Sequence, residues 1–140
     1  MTENLMQEQA RTASQMKVLR EDSRMERFVG AATTQAIVEG EVALPGGLRE
    51  ETRVLSSEAM AVCNKCETAT DRVETDGKVI FHVLYTQGDP TLVAALEASA
   101  EFSQSLDLQG ALPQMTAHCA VTVEHVEASA QSGRLHLRAI

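Results

Sequence analysis

Apolar residues recur at every second position along most of this chain, the spacing of extended strands with one covered face. The stretch Asp71–Pro90 is the exception that organises the rest. Val79, Phe81, Val83 and Tyr85 fall on one face of an extended chain and Ile80, His82 and Leu84 on the other, so both faces carry apolar residues. A strand of that kind is covered on both sides, and the run predicts the central strand of a layered domain. Asp76-Gly77 before it suits a two-residue hairpin turn that needs positive φ, and Gly88-Asp89-Pro90 stops the run after it.

On either side of this centre the period stays at two. Ala36, Val38, Val42 and Leu44 share a face with Gly40, which predicts a half-buried strand that Pro45-Gly46-Gly47 ends. A second extended segment is expected over 53–64 with Val54, Met60 and Val62 as its apolar members, although Ser57–Ala61 also has good helix propensity. From Glu97 polar residues alternate with Ala98, Ala100, Phe102, Leu106 and Leu108, a strand with an irregular start. The cleanest alternation is later. Met115, Ala117, Cys119, Val121 and Val123 face in, and Thr116, His118, Thr122 and Glu124 face out. Ser132-Gly133 then turns the chain into Leu135, Leu137 and Ala139, alternating with Arg134, His136 and Arg138.

Six or so strands joined by short turns predict an all-β domain, an antiparallel β-sandwich or a partly open barrel, over residues 28–140. Residues 1–27 are polar and helix-permissive, a leader or short helix with a weak apolar face. Phe102, the one aromatic of its segment, is expected in the core. Ile140 stands inside the last alternation with no polar tail behind it, so a longer natural chain is expected.

Composition narrows the partners. The chain has 140 residues, the size of one domain, and a formal net charge of −8. Residues 1–27 are balanced, so the globular part carries the whole acidic excess. Such a surface does not track phosphates, which argues against nucleic acid and anionic membranes. No stretch approaches the roughly 18 consecutive apolar residues of a membrane helix, and the polar start lacks a signal sequence. A cytosolic location is expected, and three cysteines, an odd number, fit a reducing compartment.

Candidate chemistry is sparse. Cys63-Asn64-Lys65-Cys66 has redox spacing, but the first Cys of such a pair works at a helix start, and this one lies in an extended segment. Three residues apart in a strand, Cys63 would face in and Cys66 out unless a turn intervened, and a zinc site would need further ligands beyond the nearest, His118-Cys119. His82, His118, His125 and His136 are scattered singly. No catalytic residue, cofactor or metal ligand is assigned, and a non-enzymatic role is expected.

Taken in order, Gln35-Ala36-Ile37-Val38-Glu39-Gly40, Leu44-Pro45, Asp76-Gly77-Lys78-Val79, Val83-Leu84-Tyr85, Glu101-Phe102-Ser103 and Val121-Thr122-Val123-Glu124 resemble the SPOCS domain of endospore-forming bacteria. The resemblance spans about residues 18–140. It implies a sporulation-associated structural module, made in the mother cell and ending at the spore surface, that helps build the spore coat by association with coat proteins or with itself. SPOCS domains sometimes stand beside a LysM module, and no LysM-like segment occurs here, so glycan binding is not implied. A small-molecule or glycan-binding β module is the alternative, with Tyr85 and the Phe residues as its aromatics. The interaction edge is expected on the C-terminal strand, at Arg134, Leu135, His136, Leu137 and Arg138, with the two arginines as its charged guards.

Overall fold

A computed structural model describes residues 16–45, 51–131 and 134–140. It contains six strands: β1 (Val38–Val42), β2 (Thr52–Ala69), β3 (Arg72–Gln87), β4 (Val93–Asp107), β5 (Val126–Gln131) and β6 (Arg134–Ala139). They form two antiparallel three-stranded sheets, a long one in the order β2-β3-β4 and a short one in the order β1-β6-β5. The all-β reading holds. Of its two forms, the structure is sandwich-like, with no closed barrel and no helix among the described residues.

β3 is the central strand of the long sheet, as its apolar run predicts, because only a strand flanked on both sides and covered on one face can bury so much of itself. Val79, Phe81, Val83 and Tyr85 point inward and are buried against Leu135, Leu137 and Ala139 of β6, the central strand of the short sheet. Leu44 and Val38 complete this core. Small side chains line the facing strands: Gly40 of β1 comes against Ala100 of β4, the Cβ positions at 3.9 Å, which lets the sheets close tightly there.

Two sequence expectations are corrected. Asp76-Gly77 is no hairpin turn; it lies inside β3, and the β2–β3 hairpin turns instead at Thr70-Asp71. Asp71 takes the left-handed conformation there with φ 57°, which Asp tolerates better than most residues. Its Oδ1 accepts from Gly110 N at 2.9 Å and its N–H donates to Ala111 O at 2.9 Å, so the turn is tied to the loop after β4. Gly77 serves another purpose. A Cβ there would collide with the carbonyl of Val62 and lie 2.5 Å from Cζ of Phe102, its cross-strand partner, so the ring of Phe102 occupies the space that a side chain would fill. Phe102 is accordingly half-buried, and it packs against the core from outside it.

The second correction is to the C-terminal edge. β6 pairs with β1 on one side and β5 on the other, so Arg134, Leu135, His136, Leu137 and Arg138 have no free backbone edge. Leu135 and Leu137 are core residues. The outward side chains meet acids of β1: Arg134 Nη1 lies 3.2 Å from Glu41 Oε2, His136 Nδ1 3.4 Å from Glu41 Oε1 and Arg138 Nε 3.5 Å from Glu39 Oε1, although the buried Arg138 Nε makes no hydrogen bond. An alternating strand at a chain end looks the same in sequence whether it lies in the middle of a sheet or at its rim; the neighbours decide.

The boundaries of β2 exceed the expected 53–64, and the segment is strand rather than helix. Residues 16–27 are exposed and without regular secondary structure, while the rest of the leader, Gly46-Gly47 and the Ser132-Gly133 turn lie outside the described residues. No helix among the described residues is long and apolar enough to cross a membrane.

Candidate functional site

The two sheets differ greatly in length, and this shapes a large opening. The short sheet covers the half of the long sheet around Phe81 and Val83. Over the other half lie two segments without regular secondary structure, 28–37 and 116–125, that belong to no ladder. Between them and the long sheet is a cavity of about 990 Å³. Its floor is the inward face of β3 and β4, including Val73, Thr75, Val79, Phe102, Gln104 and Leu106. Its two walls are unbroken runs of chain, residues 27–36 and 115–124.

The second wall carries the alternation that predicts a strand, and the facing is as expected. Met115, Ala117, Cys119, Val121 and Val123 are half-buried while Thr116, His118, Thr122 and Glu124 are exposed. What is missing is a neighbour. Among the described residues, no backbone hydrogen bond is made by 116–123 or by 28–36. Glu124 and His125 are both exposed, so the alternation changes phase between them and Val126 and Ala128 face inward again in β5. That irregularity is legible as the apolar spacing of three from Val123 to Val126.

The three cysteines meet where β2 faces the second wall. Neither redox spacing nor strand parity foretold this arrangement. The ladder between β2 and β3 slips at Asn64, where Cys63 pairs with Gly77 and Lys65 with Asp76, and the extra residue turns Cys66 onto the same face as Cys63. Cys119, from the second wall, completes the group: its thiol is in hydrogen-bonding contact with those of Cys63 and Cys66. Burial is the main force on the ionisation of Cys119, which is pushed up to about 11, with the neighbouring sulfurs adding to it. Burial likewise raises Cys66, followed by the charge of Cys63. All three are free thiols. Burial thus holds the protons on Cys66 and Cys119, the opposite of what a nucleophilic or redox-active cysteine requires. His118 sits on the other face of its segment, exposed, and no group of three His, Cys, Asp or Glu suited to a metal is found among the described residues. The cluster's evident effect is mechanical, pinning the second wall to β2. A hydrogen bond from Thr68 Oγ1 to Met115 O at 2.8 Å does the same one turn of the pleat away.

The other candidate groups stay apart. His82 lies 3.7 Å from Glu97 across β3 and β4, His125 Nε2 2.7 Å from Glu127 Oε1 at the start of β5 and His136 beside Glu41 across β6 and β1, each an exposed or half-exposed pair. The hydrogen bond from His125 holds the Glu127 carboxyl below its ordinary range. Phe81 and Tyr85 are in the core, which removes them from any aromatic platform.

The outward face of the long sheet is the remaining feature. Met60 of β2 pairs directly with Ile80 of β3, and Leu84 of β3 with Ala95 of β4. Met60 is 53% exposed, Leu84 43% and Val62 37%. Sequence parity places Ile80 and Leu84 on this face, and the expectation that a second layer covers them is not met within the described residues.

No curated protein and no solved structure matches the chain. The family comparison does give a match, to the SipL SPOCS domain over residues 52–131, which runs from the start of β2 to the end of β5 and takes in the long sheet, the cysteine cluster and the second wall. The match covers more than half of the chain, and the chain belongs to the SPOCS-domain family, a sporulation-associated domain.

Proposed function

We propose that this protein is a non-enzymatic assembly module of the spore coat, acting by association with coat proteins and with itself in the mother-cell cytoplasm and at the spore surface. The observation that carries the reading is the outward face of the long sheet, where Met60, Val62 and Ile80 adjoin across β2 and β3 and Leu84 lies beyond the pair His82 and Glu58. Apolar groups gathered in this way are uncommon on a surface that meets only water, and a flat sheet face is suited to a protein partner. The sporulation-associated family supports the setting. The raised thiols of Cys66 and Cys119 and the separately placed histidines support a role without substrate turnover.

A fluorescent fusion expressed in a sporulating host tests the reading directly. The wild type is expected to concentrate as a shell on the developing spore, and Met60→Lys combined with Leu84→Lys to stay diffuse while keeping the β-type circular dichroism of the parent. A wild type that remains diffuse, and that is also monomeric in sedimentation at high concentration, would end the assembly reading.

A further inference from the structure

The outer strands of the two sheets are not alike. β1 and β5, which flank the short sheet, are only 5 and 6 residues long. β2, on one side of the long sheet, has 18 residues, but its ladder slips at Leu55 and again at Asn64, and it carries Arg53 and Lys65. Shortness, bulges and basic side chains are devices by which natural sheets keep another chain from adding to an edge. β4, on the other side of the long sheet, has none of them. It is 15 residues long, its register with β3 runs from Asp107 to Val93 without a slip, and it contains no proline, lysine or arginine. β1 meets it across the sandwich, where Gly40 comes against Ala100. Among the described residues, no ladder is made along the outer side of β4, and its backbone bonds only to β3.

The side chains of β4 fit a second copy of the same strand. When two identical strands pair antiparallel about a two-fold axis, each residue stands opposite one of the same face, and the residue on the axis fixes the register. With Ala100 on the axis, all 15 residues pair. No acid of the outward face then meets another: Glu97 is opposite Ser103, Glu101 opposite Ser99 and Asp107 opposite Val93. On the inward face Phe102 lies beside Ala98 and Leu106 beside Ala94, a large side chain next to a small one each time. Moving the axis spoils the match. On Ser99 it sets Glu97 opposite Glu101, on Glu101 it sets that residue opposite itself, and on Phe102 it sets Glu97 opposite Asp107. Like charges directly opposite one another are destabilising. An axis on Ala98 avoids such pairs but leaves 104–107 without partners.

We propose that β4 is a self-pairing edge: two copies of this chain join β4 to β4 in antiparallel fashion, with Ala100 on the two-fold axis, and make one sheet in the order β2-β3-β4-β4-β3-β2. The joint uses the same strand of both copies, so it closes on itself as a dimer and does not propagate as a filament. The inference rests on the assembly reading and gives its self-association a route. It also sets the outward faces of the two long sheets side by side, which doubles the flat surface offered to a protein partner.

Sedimentation of the full chain over a range of concentrations, with hydrogen exchange resolved by residue, tests the pairing. The wild type is expected to form a reversible dimer, and the outer amides of 93–107 to gain protection as concentration rises. Ser99 and Ser105 are exposed on the outward face, so substitution at either is expected to leave the urea midpoint of the monomer close to the parent's. Ser99→Glu sets an acid opposite Glu101 twice in each dimer and should weaken dimerisation about fivefold, whereas Ser99→Lys sets a base there and should tighten it about fivefold. Ser105→Lys adds the same charge to the same strand opposite Ala95, and should change dimerisation by less than about twofold. A wild type that stays monomeric up to millimolar concentration overturns the pairing, and so does equal tightening by Ser99→Lys and Ser105→Lys. Protection of every amide of 93–107 at all concentrations also overturns it, because the edge is then covered within one chain. A dimer that is lost in Met60→Lys with Leu84→Lys and unchanged in Ser99→Glu overturns it too, but leaves the assembly reading standing on the outward face.

Discussion

The two ends of the sandwich are built on the same long sheet and read alike in sequence, yet one is closed and the other open. At the closed end, the alternation Leu135-Leu137-Ala139 sits between two hydrogen-bonded neighbours and is almost fully buried. At the open end, the equally regular alternation from Met115 to Val123 is only half-buried, and the backbone of 116–123 bonds to no other backbone group among the described residues. The difference teaches that period-two patterning specifies which way side chains face, whereas a strand in the full sense requires a neighbour in register. Stability should therefore be concentrated at the closed end, and adaptability at the open one.

The sharpest break in this comparison comes from matched truncations. Leu135→Ala and Phe81→Ala, at side chains 0% and 1% exposed, should each cost about 3–5 kcal/mol in urea unfolding. Val121→Ala, on the open wall, should cost less than about 1 kcal/mol, because its side chain gives up little burial. Equal losses at both ends would erase the distinction.

Gly77 lies near the boundary between the two ends. Gly77→Ala should destabilise by about 1–3 kcal/mol, since the new methyl meets the Val62 carbonyl and the Phe102 ring. Phe102→Ala alone should cost about 2 kcal/mol, less than a fully buried Phe. Combined, the two should be less than additive by about 0.5 kcal/mol or more, because removing the ring frees part of the space. Strict additivity would show that Phe102 does not cover Gly77.

Much of this was legible from the chain alone. The inward faces of β3, β4 and β6 follow from spacing, since parity is a local property of an extended backbone, and the resemblance to SPOCS domains led to the family that the chain belongs to. Non-local facts were not legible. Asp76-Gly77 has the composition of a turn, and only the ring of Phe102, 25 positions on, explains a glycine within a strand. Cys66 changes face because of a single inserted residue at Asn64, which no period announces. The expectation of a free edge at Arg134–Arg138 failed because the C-terminal strand is placed between β1 and β5 by its backbone ladders and by the burial of Leu135, Leu137 and Ala139, with partners distant in sequence. The unpaired second wall had no signal except the phase change at Glu124-His125.

The thiol cluster offers a smaller and independent test of how the open wall is held. Cys119 is raised to about 11 in the folded protein, so the fold favours the protonated thiol. In the unfolded chain the thiol ionises near its ordinary value of about 8.5, so the unfolded state loses the proton first as pH rises. Stability from this group is therefore complete below about pH 8.5 and is lost as pH rises toward 11. Cys119→Ala should flatten that alkaline decline, and the wild-type thiol should react slowly with a disulfide reagent at pH 8 compared with a free thiol. The smallest effect is expected from Glu41→Gln, which weakens half-exposed pairs with Arg134 and His136 and should change stability by less than about 1 kcal/mol.

Hydrogen exchange of the free protein, resolved by residue, tests the difference between the two ends most directly. Amides of 79–85 and 135–139 should exchange only through global unfolding, while those of 28–36 and 116–123 exchange at rates near those of an unstructured chain, because extended conformation without a partner gives no protection. Protection of 116–123 equal to that of 135–139 would mean that the second wall is a paired strand after all, and that the molecule has no open end.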